Sequence, residues 1–483
     1  MPNKYLLSLN RTVVLRVSEH DLLLVGSDGN ATRLTKPGKA LKTLLTNLIA
    51  GGMTADQLCA VAAWQDDADL ARLYYAIATF EKKGFVCYTL CIAKKNWATL
   101  EPVSPAFCME NASPIPKYRL SRFACLRRLD DKILVESPLG HARIVLHDSR
   151  AAAAVSLLAK PHAATELATL LAGLDVAAAT GMLSLLCSAG IAFACTADGR
   201  IAEDDNAALQ QWEFHDLLFH SRSRTGRHDY PLGGTFRFRG ALPHPPAVKP
   251  AMSERRIALY KPDMKALAAS DSPFSRVSES RGSIRGAGEQ PLSARELGEF
   301  LYRSARVKSI NPADPANPAD YERSWRVCSS GGAMHELELY LTIARCDGIG
   351  SGLYHYDPLD HALEHLADLG LAQQAVLADG CRYAGLQTTD VLITLAARFQ
   401  RTSWKYQSMA YALILKNVGA LYQQMYLVAT AMHLAPCGLG GGDSDQFAKA
   451  TGLDYYTETS VGEFLLSSRL NADAGVQVSN VSM

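Results

Sequence analysis

Several things that would settle a protein's class early are missing from this sequence. Its 483 residues include eleven cysteines, yet no two form a Cys-x-x-Cys pair, and the closest, Cys87 and Cys91, have no second ligand pair nearby. That excludes a zinc site of the usual spacing, and an odd, scattered set reads as free thiols in a reducing compartment. Charge of one sign is missing too. With 49 Lys and Arg against 48 Asp and Glu the formal net charge is +1, so no global field draws the chain to nucleic acid or an acidic membrane. No long apolar run is uninterrupted: residues 408–434 are broken by Lys416, Asn417, Gln423, Gln424 and His433, which argues for a buried helix rather than a membrane span. The opening Met1-Pro2-Asn3-Lys4-Tyr5 lacks the charged-then-apolar layout of a signal peptide, so a cytoplasmic location is expected. No dinucleotide-binding glycine fingerprint follows a strand.

What is present begins with an internal duplication. Leu9-Asn10-Arg11 matches Leu120-Ser121-Arg122, and Leu15-Arg16 matches Leu126-Arg127 in the same register. Leu22-Leu23-Leu24 then faces Ile133-Leu134-Val135, and Gly29 faces Gly140. Each copy reads as strand, strand, a glycine turn and a short third strand, followed by three helices: residues 39–49, 54–63 and 68–82, then 150–158, 164–171 and 177–188. Gly84 and Gly190 stand where a helix C-cap is wanted, just before a β-rich run. Three strands plus three helices is winged-helix order. DNA reading finds little support, because the third helices are Ala-rich and poor in Arg and Lys. Packing or dimerisation, and capture of an extended peptide on a strand edge, both remain open.

Between the halves, residues 202–219 read as helical and lead into the basic run His220 to Arg227. Residues 233–250, rich in Gly, Pro and Arg, read as an irregular connection. A solvated loop is the plain reading of the basic run, and contact with an acidic peptide the alternative.

The C-terminal half carries the chemistry. Arg281-Gly282-Ser283-Ile284-Arg285 puts two guanidinium groups and a hydroxyl within five residues, a set suited to a phosphate monoester. It precedes a helix starting near Ser293, with Glu296 in capping-box spacing. Cys328-Ser329-Ser330-Gly331-Gly332-Ala333 is a small-residue turn whose amides can approach a planar ring or an anion. Gly352-Leu353-Tyr354-His355-Tyr356 alternates as a strand, and its aromatics read as sheet residues. Lys405-Tyr406 precedes the long apolar helix, and Cys437-Gly438-Leu439-Gly440-Gly441-Gly442 offers backbone amides near a ribityl chain or phosphate.

Together and in this order, the motifs resemble the SagB-type azoline dehydrogenases of the FMN nitroreductase superfamily over residues 273–470. Residues 212–238 resemble that family's longer members, the cyanobactin-type thiazoline oxidases, and the duplicated modules resemble peptide-clamp winged helices. The resemblance implies an α+β chain: winged-helix-like modules at 1–94 and 112–196, a connecting segment at 197–272, and a nitroreductase-like FMN domain at 273–483. It carries the FMN contacts to Arg281, Ser283, Arg285, Ser330, Gly440 and Gly441, and the catalytic pair to Lys405 and Tyr406. Ser329 and Glu336 stand where the family has prolines, and Ala420 and Gln424 where a His and an Asn are usual, so the substrate-side contacts differ.

By the same resemblance the reaction is oxidation of a peptide thiazoline or oxazoline to the aromatic ring. Lys405 or Tyr406 removes a proton, a hydride leaves for FMN, and oxygen is the final acceptor. The implied partners are an azoline-containing precursor peptide and a cyclodehydratase, and the apolar helix at 408–432, an aggregation hazard if left on a monomer surface, points to a second copy in a homodimer. Two other classes fit the same residues: an NAD(P)H-dependent nitro- or quinone-reductase, and a peptide-binding scaffold without catalysis.

Overall fold

The duplication read from the sequence is carried into the backbone. The computed structural model describes residues 5–470 apart from 19–20, 27–28, 55, 58–59, 61–66, 315 and 318–319. By its internal contacts the chain divides into two units, Met1–Leu232 and Gly233–Met483. In the first unit, β1 (Tyr5–Leu9), β2 (Val14–Val17), β3 (Asp21–Val25) and β4 (Ala31–Thr35) precede α1 (Lys39–Ala50), α2 (Asp67–Lys82) and β5 (Val86–Ile92). After the hairpin strand β6 (Lys95–Pro102) the order returns as β7 (Tyr118–Leu120), β8 (Cys125–Leu129), β9 (Lys132–Glu136) and β10 (Ala142–Leu146). These lead to α3 (Ser149–Leu157), α4 (Ala164–Leu170), α5 (Val176–Ser188) and β11 (Ala192–Ala194). The helix expected at 54–63 lies in part outside the described residues.

Pairing repeats as well. The first strand of each copy runs antiparallel to the strand that follows its last helix, β1 with β5 and β7 with β11. Gly84 at φ +69° and Gly190 at φ +64° end those helices in the left-handed conformation that favours glycine. Each supports the double bond of a Schellman end: Phe85 N–H donates to Phe80 O, and Ile191 N–H to Leu186 O.

The copies differ in what covers their strand edges. β2-β3-β4 stands as a three-stranded sheet, whereas β10 is paired by β6 in the six-stranded order β1-β5-β6-β10-β9-β8. One hydrophobic core runs through both copies, including Leu24, Leu44 and Phe80 of the first and Ile144, Leu158 and Leu185 of the second. Tyr5 donates its hydroxyl to Gly181 O at 2.8 Å, fastening the first strand to α5. That helix is buried over nine of its thirteen residues, and Ser184 and Ser188 accept the N–H groups of Ala112 and Glu110. A helix so enclosed leaves no face for a DNA groove.

The second unit is built on seven strands in the order β13 (Arg256–Ala258), β18 (Ala362–Asp368), β17 (Gly352–Asp357), β16 (Leu337–Ile343), β19 (Val391–Arg398), β22 (Glu458–Ser467) and β21 (Ala435–Gly438), all pairs antiparallel. Four further short strands, β12 (Gly233–Gly234), β14 (Val307–Asn311), β15 (Arg323–Arg326) and β20 (Tyr406–Gln407), pair outside it. β19 shows why the sheet is central. Val391, Ile393 and Leu395 join one core with Phe300 and Met425, while Leu392 joins another with Val376 and Leu465. A strand covered on both faces reads as an unbroken apolar run. α7 (Ala294–Ala305), capped by Ser293 and Glu296 as their spacing predicted, supplies Leu297, Phe300 and Leu301 to the larger core.

The long helix α10 (Ala410–Ala431) buries Ile414, Val418, Leu421, Met425 and Val428, but leaves Tyr411 and Leu415 at 46% and 40% exposure. Among the described residues its own chain encloses one face, and apolar residues remain outside it. Among the described residues, no helix is long and apolar enough to cross a membrane.

Candidate active site

The site lies in the second unit, and it has two ends. At the first, residues 281–288 run alongside β21 without regular structure, Ile284 N–H donating to Pro436 O at 2.8 Å. Ser283 Oγ lies 2.7 Å from the Tyr426 hydroxyl, which also accepts the Gly438 N–H at 2.7 Å, and the Arg281 guanidinium stands 5.5 Å from the Tyr426 ring. Tyr426 therefore joins the Arg-Ser-Arg segment to the start of the glycine-rich loop. Arg281, Ser283 and Arg285 are exposed, and neither arginine has an ion pair among the described residues. A Cβ on Gly282 or Gly440 would meet nothing within 4 Å, whereas one on Gly441 would press the Tyr383 ring at 2.9 Å. Gly440 thus has free space beside it, and Gly441 is turned onto protein. Gly442 abuts Glu463, whose burial pushes its carboxyl up to about 7. Arg469, which the sequence reading did not single out, follows β22 with its backbone against Gly288.

The second end is the turn from Ser330 to Glu336. Gly332, Ala333 and His335 all take positive φ, at 64°, 55° and 45°, a conformation costing a non-glycine residue about 1–2 kcal/mol. A knot of hydrogen bonds holds it. Asn417, buried on α10, donates to Glu336 Oε1 at 2.7 Å and to Ser330 Oγ at 3.1 Å, and accepts the Gly331 N–H at 2.9 Å. Ser330 Oγ also accepts the His335 N–H at 3.0 Å and lies 3.3 Å from Glu336 Oε2. The Ser330 hydroxyl is therefore engaged within the protein, and its main chain is what remains for a ligand. Glu336, read from sequence as a departure, is the carboxylate that ties the turn to the helix. Gln424, one of two departures on that helix, donates to Arg303 O at the end of α7. Burial, with Arg326 and Arg401 nearby, holds the His335 imidazole down to about 3.

Lys405 and Tyr406 lie against this turn. The space a Cβ would need on Gly332 is taken by the Tyr406 hydroxyl and by Lys405 Nζ, so a larger residue there would displace both side chains. Lys405 Nζ contacts the Tyr321 hydroxyl at 2.7 Å and Gly332 O at 3.5 Å, and has no ion pair among the described residues. Its backbone is held by a strap that the sequence read as an irregular connection. β12 pairs with β20, matching Gly234 to Tyr406, and Phe236 N–H donates to Lys405 O at 3.1 Å. Trp404 Nε1 donates to Leu242 O, and the fully buried Arg401 ties Pro245 O to Glu322 O and Met334 O. His244, held down to about 4 by burial and by Arg401, packs between Tyr321 and Trp404. Proline, glycine and arginine hide such a strap in the sequence; its alternating Phe236 and Phe238 were the available signal.

His355, read as a sheet residue, is buried between Glu338 and Glu364 at 3.3 and 2.9 Å. In the first unit, Arg222 pairs with Glu136 and Arg227 donates to Leu139 O, so two members of the basic run are spent on their own chain.

Comparison with known proteins gives two family matches: the cyanobactin oxidase ThcOx family at residues 118–229 and the nitroreductase family at residues 279–463. A Methanocaldococcus jannaschii protein named for the nitroreductases, MJ1384, is 26% identical over 160 residues, 33% of this chain and 74% of that one. The Escherichia coli microcin B17-processing protein McbC is 25% identical over 210 residues, 42% of this chain and 73% of that one. Among solved structures, the E. coli microcin synthetase McbBCD complex with truncated pro-MccB17 bound superposes with a TM-score of 0.34 at 19% identity, covering 53% of this chain and 92% of that one.

Proposed function

We propose that this chain, which matches the cyanobactin oxidase and nitroreductase families over separate segments, oxidises thiazoline or oxazoline rings to thiazoles or oxazoles in a ribosomally made peptide, using FMN. The observation that carries this reading is the Lys405–Tyr406 pair lying against the Ser330–Gly332 turn in a nitroreductase-family domain that follows a cyanobactin-oxidase segment.

The residues fit a flavin mononucleotide. Arg281, Arg285 and the Ser283 hydroxyl form an exposed donor set without internal ion pairs, suited to one terminal phosphate, and Gly282 and Gly440 leave room beside it. Asn417 and Tyr426 stand nine residues apart on α10, about 13–14 Å at helical rise, so the two ends are spaced along one rod. Bound there, FMN would supply a two-electron acceptor for ring oxidation, with oxygen as the final acceptor.

The chain's own residues have two tasks: orienting the azoline and taking its proton. Lys405 Nζ or the Tyr406 hydroxyl removes the ring α-proton while the other polarises the ring. The strap and Trp404 wall this side with aromatic rings. The first unit, read as two winged-helix-like peptide clamps, raises the local concentration of the peptide. β4 supports that role, since its outer edge is unpaired among the described residues while β6 covers the same edge of β10. A cyclodehydratase makes the azoline before this enzyme acts. The exposed Tyr411 and Leu415 of α10 mark the face that a second copy covers, and sedimentation should return a dimer; a stable monomer would remove that part of the reading.

The likeness to MJ1384 favours a second reading, an NAD(P)H-dependent reductase of small nitro compounds or quinones. Mass spectrometry decides between them. Incubation with a thiazoline peptide in air should give a product lighter by two hydrogens, and an unchanged peptide would reject azoline oxidation.

A further inference from the structure

Resting on that reading of Lys405, we propose that Tyr321 is a positioning residue which aims the Lys405 amine at the substrate. A lysine side chain has four rotatable carbons and loses on the order of 2 kcal/mol of conformational freedom when fixed. Something must therefore hold it, and the usual device, a carboxylate, is not there: Lys405 makes no ion pair among the described residues. The short contact is the Tyr321 hydroxyl, 2.7 Å from Nζ, with Gly332 O at 3.5 Å as a second anchor.

Tyr321 is itself rigid. It is 7% exposed, and its ring packs against His244 at 4.7 Å, Trp404 at 5.8 Å and Phe236 at 6.1 Å between centroids. Trp404 precedes Lys405 in sequence and is fixed in turn by Leu242 O, while Phe236 donates its N–H to Lys405 O. Both ends of Lys405 are thus referenced to one aromatic block, the backbone through Phe236 and the amine through Tyr321.

A hydroxyl suits this task better than a carboxylate. It accepts a hydrogen bond from an ammonium and donates one to a neutral amine, so it stays bonded as the proton comes and goes. A carboxylate would stabilise only the charged form and oppose its use as a base. In the proposed step the proton leaving the ring carbon ends on Lys405 Nζ, and Tyr321 keeps its own.

The test is Tyr321→Phe in the full-length, FMN-loaded protein, a change that keeps the ring and removes only the oxygen. Anaerobic single-turnover bleaching of the flavin by a thiazoline peptide should slow by about 10- to 100-fold, up to the cost of misplacing a reacting group by about 1 Å, with flavin content and peptide affinity unchanged. Separately, with no peptide present, acylation of Lys405 by a succinimidyl ester, followed by peptide mapping, should be faster in Tyr321→Phe because the amine is released. In a Lys405→Ala background the tyrosine change should add nothing further. If Tyr321→Phe bleaches at the native rate while Lys405→Ala is slow, the positioning role is refuted and the reading of Lys405 stands. If Lys405→Ala itself bleaches at the native rate, both fall together.

Discussion

The exposed end of the site, at Arg281, Ser283 and Arg285, and the enclosed end, around Ser330, Glu336 and Asn417, treat their polar groups in opposite ways. At the first, two guanidinium groups reach solvent with no ion pair among the described residues. At the second, a buried carboxylate, amide and hydroxyl satisfy one another within 3.3 Å and hold three residues in the left-handed region. The difference teaches that the two ends are built for different tasks: under the proposed function one is a donor set left open for a ligand, the other a fastening that keeps a glycine turn against Lys405 and Tyr406. Removing a residue from the open end should change binding and leave stability alone. Removing one from the fastening should change stability first.

The largest expected effect lies where the fastened turn meets Lys405 and Tyr406, the proposed catalytic pair. Lys405→Ala and Tyr406→Phe should each keep flavin and lose turnover by about 10²–10⁴-fold, and the double variant should be little worse than the worse single one. Steady-state assays with an azoline peptide check this; additive losses would mean the two do not act as a unit.

Next comes the fastening itself. Asn417→Leu leaves the buried Glu336 carboxyl with Ser330 as its remaining partner among the hydrogen bonds described, and removing one partner of a buried hydrogen-bonded group costs about 1–3 kcal/mol. Urea unfolding should move to a lower midpoint, and an unchanged midpoint would reduce the knot to decoration.

At the open end Arg281→Ala should weaken FMN by about 1.5–3 kcal/mol, the worth of a charge-assisted contact, with an unfolding midpoint like that of the native apoprotein. Full flavin retention would take Arg281 out of the site.

The smallest effect is a pH dependence at the turn. The folded His335 imidazole is held down to about 3 by burial and two arginines, below its ordinary value of 6.5. The unfolded chain therefore takes up a proton that the folded one refuses. Stability is fully present above pH 6.5 and is lost as pH falls toward 3, by about 1 kcal/mol between pH 6 and 5. His335→Gln should flatten that slope in unfolding measured at the two pH values, and an unaltered slope would assign it to other groups.

What could be read from the sequence was local. The duplication, the glycine caps at Gly84 and Gly190 and the capping box at Ser293 depend on neighbours within a few residues, and the structure carries them, although each copy places four strands before its helices where three were read. The fastening and the strap depend on distant partners: Asn417 and Glu336 are 81 residues apart, Lys405 and Tyr321 84, and Arg401 and Pro245 156. Asn417 read as an interruption in an apolar helix, and Glu336 as a departure from a motif. Neither residue signals its partner until the chain is folded. α10 was legible in part: its composition calls for burial all round, in a core or at a subunit interface, and its own chain encloses one face.

The central claim is tested most directly by mixing the purified, flavin-loaded protein anaerobically with one of two reductants, a thiazoline peptide or NADPH, and following flavin absorbance in a stopped-flow instrument. The account predicts rapid bleaching by the peptide, recovery of colour on admitting oxygen, and a thiazole product, with NADPH leaving the flavin oxidised. Bleaching by NADPH with the peptide inert would contradict it and make the protein a small-molecule reductase.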